Sequence, residues 1–410
     1  HGWTSPVVLS TGGQGWEATA AIDGGGNSVA LWDERTTMDQ LWSRAKPSAG
    51  TWGSVTEVSP ALQTTSVLPV VRVTTTGFAT AVWSDQGGVW TADRPPASNW
   101  NPAQLLIPGV SNPAFVMDSL GDAAIVWSVG GARSSSSSVM AVLRPAGKNW
   151  TAQQLVASGV HLTADHVGIG DNGTVIVTWE SYNAVCTKYG CSLSAYVLHA
   201  SRQNTGTGMW MDSGSLMGPD NTAHDARVAL DSAGGAILVA LSKSGAYVSA
   251  TQGNSGGGWS SFGTAFNPSG ITMISNLLSD DAGHVTLAYE AIGFSTSQAL
   301  VINGSINNNT WSSPLVLSGS DSGVSQIYLA VAPGGAALAV WVTIGSSPQI
   351  HAVRRATATG TWSSPVAISG PGSQIGPEAA AVNSAGDAIV IYSGYDASSV
   401  HTEYAISYQP

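Results

Sequence analysis

Two aromatic series, each recurring about every 50 residues, and Asp-x-x-Gly turns set between short apolar runs predict an all-β fold of radially repeated sheets, an eight-bladed β-propeller. The first series opens a short strand with a tryptophan: Trp3, Trp52, Trp100, Trp150, Trp210, Trp259, Trp311 and Trp362. The second closes an apolar run: Trp32, Trp83, Trp127, Trp179, Ala240, Tyr289, Trp341 and Tyr392. Eight members in each set count eight blades, or seven if one unit is degenerate. One period runs from end to end without a linker, so a single domain over residues 1–410 is expected.

Residues 310–355 show how each unit is built. Trp311 to Ser318 reads as the outer strand, with Pro314 near its start, where proline is tolerated. Gln326 to Ala332 is the inner strand, Pro333-Gly334-Gly335 a tight turn, Ala336 to Trp341 the second strand and Gln349 to Arg354 the third. The turn recurs as Asp23 to Asn27, Asp118 to Asp122, Asp231 to Gly235 and Asn383 to Asp387. There Asp or Asn bonds its own backbone and Gly supplies the positive φ of a tight hairpin, so these carboxylates read as turn chemistry. Second strands such as Ala123 to Trp127 are apolar on both faces and must be covered on both sides by neighbouring sheets. The chain starts with an outer strand, Trp3 to Ser10, and ends on three strands that lack one. The N-terminal strand is therefore expected to complete the last blade and close the ring.

Composition narrows the function classes. Only 10% of residues are charged and the formal net charge is −11, with 14 Lys+Arg against 25 Asp+Glu. No basic cluster exists to neutralise phosphates, which argues against nucleic acid or an anionic membrane surface as partner. No run of eighteen apolar residues suggests membrane insertion. The two cysteines, Cys186 and Cys191, are spaced to close a hairpin loop with a disulfide. The disulfide, the low-charge composition and a chain that begins inside the first Trp segment together predict an exported, extracellular protein.

Antiparallel order puts the outer-to-inner and second-to-third loops on one face, where the inner-strand starts line the channel mouth. Candidate ligand-binding residues there are Glu17, Arg72, Asp165, His166, Asp225, Arg227, Tyr328 and Glu378. The period slips most between Trp150 and Trp210, stretched by the cysteine loop, and loops that leave the repeat are where function concentrates. His166, His224, Tyr182 and Arg227 are the candidate catalytic set in that region, as base, acid and charge clamp. No metal site is predicted, although calcium could bind the acidic loop face of Asp33, Glu34, Asp85, Glu180, Glu290 and Asp396. His199, His351 and His401 recur beside third strands and read as packing residues, as do both Trp series. Trp16, Trp42 and Trp90 fall outside the series and are candidates either for stacking on a sugar or, equally, for burial in the core.

The Asp-x-x-Gly turn feeding a strand that ends in Trp resembles the Asp-box hairpin of sialidase-like (BNR) propellers. The longer spacing from Asp to Gly and Trp departs from the Ser-x-Asp-x-Gly-x-x-Trp pattern. The repeat is also similar to that of secreted bacterial propeller lectins. The resemblance implies an architecture and, for the lectins, recognition of a glycan or cell-surface macromolecule. Sialidase activity would need three arginines on the substrate carboxylate, and arginines such as Arg44, Arg94 and Arg144 instead recur in third strands. The leading expectation is a non-enzymatic, lectin-like propeller. A glycan-active enzyme, lyase or glycosidase, centred on blades four and five is the alternative, and a structural or assembly subunit is the third reading.

Overall fold

The computed structural model describes residues 2–10, 14–35, 39–59, 68–130, 134, 136–188, 190–204, 208–216, 223–242, 244–253, 258–267, 271–292, 297–319, 321, 323–370, 375–395 and 399–410. It is an eight-bladed β-propeller whose blades are antiparallel sheets ordered inner, second, third and outer strand. Blade 1 is Gln14–Ile22, Ser28–Arg35, Asp39–Lys46 and Thr56–Glu57; blade 4 is Leu162–Ile169, Thr174–Thr187, Gly190–Asn204 and Met211–Leu216; blade 5 is Ala223–Leu230, Ala236–Ser242, Tyr247–Gln252 and Gly263–Phe266. Blade 8 takes its inner three strands from Gly376–Val382, Ala388–Tyr395 and His401–Gln409. Its outer strand comes from the other end of the chain, with Trp3 opposite Tyr408 and Val8 opposite Tyr404. The ring closes as the sequence predicts.

Outer strands are broken where proline stands. Thr310–Trp311 and Leu315–Val316 both pair with the third strand of blade 6, but Pro314 between them has no N–H to give. The N-terminal strand is interrupted around Pro6 in the same way.

Eight apolar cores lie in the seams between adjacent blades, one to a seam. The two aromatic series supply each seam with one member apiece, but they do different jobs. Trp32, Trp83, Trp127 and Trp341 are fully buried on second strands. All eight tryptophans of the first series are only half-buried; each plugs the rim of the seam behind it, Trp100 that of blades 1 and 2, Trp150 that of blades 2 and 3. The seam of blades 4 and 5 is the exception, with Ala240 in the place of the buried aromatic.

The inner-to-second turns behave as their sequences require. Asp118 Oδ1 accepts the N–H groups of Leu120, Gly121 and Asp122, and Asp23, Asp231, Asp280 and Asn383 hold their own turns with the same oxygen. One glycine per turn, from Gly26 (φ +82°) to Gly386 (φ +86°), takes the left-handed conformation that disfavours a Cβ.

Successive turns are also bonded to one another. Gly24 N–H donates to Thr75 O, Thr75 N–H to Ser119 O, Ser119 N–H to Asp171 Oδ1, and Asn172 Nδ2 to Ala233 O. Ser232 N–H then donates to Asp281 O, Asp281 N–H to Pro333 O, Gly334 N–H to Ser384 Oγ, and Asn383 Nδ2 to Asp23 O. This collar runs once round the turn-face mouth of the channel, and in every link the donor sits on one blade and the acceptor on the next.

Candidate functional site

On the loop face the inner strands of blades 1, 4, 5, 6, 7 and 8 each carry a bulge at the corresponding place, before Thr19, His166, Arg227, Asn276, Tyr328 and Ala379. A bulge inserts unpaired residues and re-aims their side chains. Glu17, Asp165, Asp225 and Glu378 are the bulge residues themselves, with Glu17 at φ +51° and Asp225 at φ +51°. These four candidates therefore stand at the starts of their inner strands, on the loop face.

Most of them are turned to the neighbouring blade. Glu378 Oε2 accepts Ala18 N–H at 3.1 Å, and Glu17 Oε2 accepts Leu68 N–H at 2.8 Å. Asp165 accepts Ala226 N–H in a short bond, Glu180 Oε1 accepts Asp225 N–H at 2.8 Å, and His166 Nδ1 accepts Val228 N–H at 3.3 Å. Burial and then the charge of Arg227 push the His166 imidazole down to about 3, so it is neutral near pH 7 and a poor proton acceptor. Arg227 itself donates to Ala226 O and lies 3.7 Å from Asp165. Arg72 and Tyr328 stand open to the channel; the surrounding protein desolvates both, lowering the Arg72 pKa and raising that of Tyr328. Tyr182 is on the second strand of blade 4, packed on His161, and the His224 side chain lies outside the described residues.

The acidic residues considered for calcium are dispersed. Asp33 and Glu34 are buried in blade 1, Asp85 Oδ1 holds Gly87 N–H, Gly88 N–H and Trp90 Nε1, Glu290 accepts from the Gln326 backbone, and Asp396 lies outside the described residues. Among the described residues no group of three or more His, Cys, Asp or Glu side chains is arranged to hold a metal. Cys186 and Cys191 are joined by a disulfide at the tip of the blade 4 hairpin. The recurrent histidines pack as expected, His199 stacking on Trp179 and His401 on Trp16.

Cavities occur at the rim. Between blades 1 and 2 a cleft of about 220 Å³ is lined by Ser43, Ser54, Arg94, Asn99 and Trp100. Between blades 2 and 3 a second, of about 510 Å³, is lined by Asp93, Asn101, Gln104, Arg144, Lys148 and Trp150. Each is framed by the same segment, Arg-Pro-x-x-x-Asn-Trp, at residues 94–100 and 144–150. Trp100 Nε1 donates to Ser43 Oγ on the preceding blade at 2.7 Å. Arg144 lies 4.8 Å from the Trp150 ring centre and reaches across the seam to Asp93 Oδ1 at 2.9 Å and Thr80 Oγ1 at 2.7 Å. The recurring segment was the sequence signal for these clefts, which a focus on the channel mouth passes over.

No protein-family model matches the chain, and no curated protein matches it in sequence. Solved structures match in fold. The BP39L lectin from Burkholderia pseudomallei superposes with a TM-score of 0.54 at 13% identity, over 87% of this chain and 100% of the lectin. An ulvan lyase of polysaccharide lyase family PL25 gives 0.52 at 11% identity, over 98% of this chain and 93% of the lyase. A fungal alcohol oxidase solved with copper gives 0.51 at 13% identity, over 100% of this chain and 76% of the oxidase. At these identities the likeness is one of fold. The chain is similar to β-propellers that include a lectin and a polysaccharide lyase.

Proposed function

We propose that this protein is an exported, non-enzymatic propeller that binds carbohydrate at its rim. The observation that carries the reading is the pair of equivalent inter-blade clefts, each with a half-buried Trp, an Asn amide and an Arg in one frame. A tryptophan ring offers an apolar face to the C–H side of a pyranose, and the Asn, Asp and Gln groups beside it match hydroxyls. Repetition would make the binding multivalent, so weak single-site affinities would add through avidity. The lectin neighbour, the hairpin disulfide and the net charge of −11 are consistent with an extracellular protein that takes a neutral glycan. The alternative of a lyase or glycosidase at blades 4 and 5 draws less support, because Asp165, His166 and Glu180 hold the backbone of blade 5.

A glycan array of neutral and uronate-containing oligosaccharides, repeated with the W100A/W150A double variant, tests the reading. Neutral hits in the native protein that weaken by about tenfold or more in the variant are expected. Array signals unchanged by W100A/W150A, or release of unsaturated uronate products from a polysaccharide, would overturn it.

A further inference from the structure

Blade 4, where the repeat is longest, brings three aromatic rings together at the surface. Its second and third strands continue as a hairpin arm, paired from Asn183 and Ser194 out to Thr187 and Gly190 and tied by the disulfide. At the root of the arm the ladder slips. Ser181 pairs with Val197 and Asn183 with Ser194, so Tyr182 stands opposite the two residues Ala195 and Tyr196. Ala195 is at φ +54° and His161, on the approach to the inner strand, at φ +55°. Both are left-handed conformations that cost stability in a non-glycine residue. His161 is tied to the same place, its carbonyl accepting Tyr182 N–H at 3.2 Å.

The result is a cluster of three aromatic rings. The His161 ring stacks on Tyr182 at 5.7 Å and 11°, and Tyr182 meets Tyr196 at 5.8 Å and 46°. All three rings are half-exposed, and none belongs to the cores of the seams on either side of blade 4. Bulge, left-handed backbone and arm therefore orient rings that blade packing does not use. Polar groups border the rings: Thr163 Oγ1 lies 3.3 Å from the Tyr182 hydroxyl, and Glu180 is bonded to the Asp225 N–H. Burial, then Glu180, Tyr182 and Asp225, raise the pKa of the Tyr196 phenol, so both carboxylates lie within electrostatic reach of it.

We infer that this platform is a second carbohydrate subsite, specific for an uncharged pyranose that lays its C–H face on Tyr182 and Tyr196 and donates hydroxyls to Glu180 and Asp225. A carboxylate has about four lone-pair sites, so one already accepting a backbone N–H can accept again. The same two carboxylates repel uronates and sulfated sugars. The inference rests on the carbohydrate-binding reading but not on the rim clefts, from which the platform is separate.

Saturation-transfer NMR with methyl glycosides of glucose, galactose and mannose tests it in the W100A/W150A background, where the rim is disabled. The expected result is transfer to pyranose ring protons that falls by about tenfold on adding Y182L/Y196L and persists with Y182F/Y196F, which keep the rings. Transfer that survives Y182L/Y196L undiminished, or that is absent once the rim is disabled, would sink the platform and leave the rim reading standing. Absence of transfer in the native protein would sink both, and transfer only to methyl glucuronoside would reverse the assigned charge preference. Loss with Y182F/Y196F as well would show that the ring faces are not the contact.

Discussion

Between blades 8 and 1 Trp32 is wholly buried, with Trp42 and Trp52 half-buried against the same core, while between blades 4 and 5 the places of Trp32 and Trp52 hold Ala240 and Trp259. The first seam gains the area of a large ring; the second has a methyl group there and carries three polar staples to blade 5 N–H groups, where the first has the one from Glu378 to Ala18. Asp165, Glu180 and His166 each accept a backbone N–H from blade 5. The first seam also carries buried charge: Glu403 is 0% exposed, and neither of its carboxylate oxygens has a hydrogen-bond partner among the described residues, while Asp33, likewise 0% exposed, faces the next seam, that of blades 1 and 2, on the side of Leu31. Arg35 Nε comes to 3.5 Å from Asp33 and 3.7 Å from Asp39. The comparison teaches that one backbone architecture tolerates either a large ring or a methyl group at the same place in a seam, with the hydrogen-bonded stitch kept in both and extended where the ring is missing. A concentration of His and acidic residues at a seam can therefore reflect a missing ring.

The largest expected effect is on the aromatic seam. Trp32→Ala should cost roughly 3–5 kcal/mol, the range for truncating a buried aromatic, read as a lowered urea midpoint. Ala240→Gly in the other seam should cost only about 1 kcal/mol, mainly by backbone entropy. Equal losses would show that the staples do not replace the ring.

Next comes pH. Burial, then Asp39, raises the Asp33 pKa to about 7, and burial, then Glu378, raises that of Glu403 well above the usual range. Because the folded values exceed the unfolded ones of about 4, the protonated forms favour folding. That contribution is full below about pH 4 and is lost as pH rises through the folded pKa. His166 has the opposite sign, its depressed pKa withdrawing stability as pH falls below about 6.5. Asp33→Asn should therefore become more stable relative to the native protein between pH 5 and pH 8, by roughly 2–3 kcal/mol. A difference between the two that does not change with pH would show that Asp33 is ionised in the fold.

A smaller effect is expected at the stitched seam. Asp165→Ala leaves the Ala226 N–H without its acceptor and should cost about 1–3 kcal/mol. Hydrogen exchange should rise in blade 5 before it does in blade 1. The smallest is at a turn: Asp231→Ala removes the acceptor of the Ala233 and Gly235 N–H groups, for about 1 kcal/mol and no change in glycan binding.

Blade number and ring closure were legible because a tryptophan every 50 residues and a lone first strand are properties of the chain alone. The turn aspartates were legible for the same reason, since Asp118 bonds residues within four of itself. What escaped the sequence depends on partners in other blades. The bulges at Asp165 and Glu378 are changes of register without a composition of their own, and their acceptors serve Ala226 and Ala18 on adjacent blades. The two Trp series look alike in sequence, yet second-strand residues sit between sheets and outer-strand residues at the edge. That difference is what leaves Trp100 and Trp150 to frame the rim clefts.

The collar of turns gives the ring two closures of different kind. The outer one is a strand, Gly2–Trp3 and Val7–Val8, that can be peeled from His401–Gln409; the inner one is the collar, a loop of bonds with no first or last member that the link from Asn383 to Asp23 completes. Trimming the N-terminal strand would therefore let the molecule gape at its circumference while the hub stayed latched, like a fan spreading on its rivet.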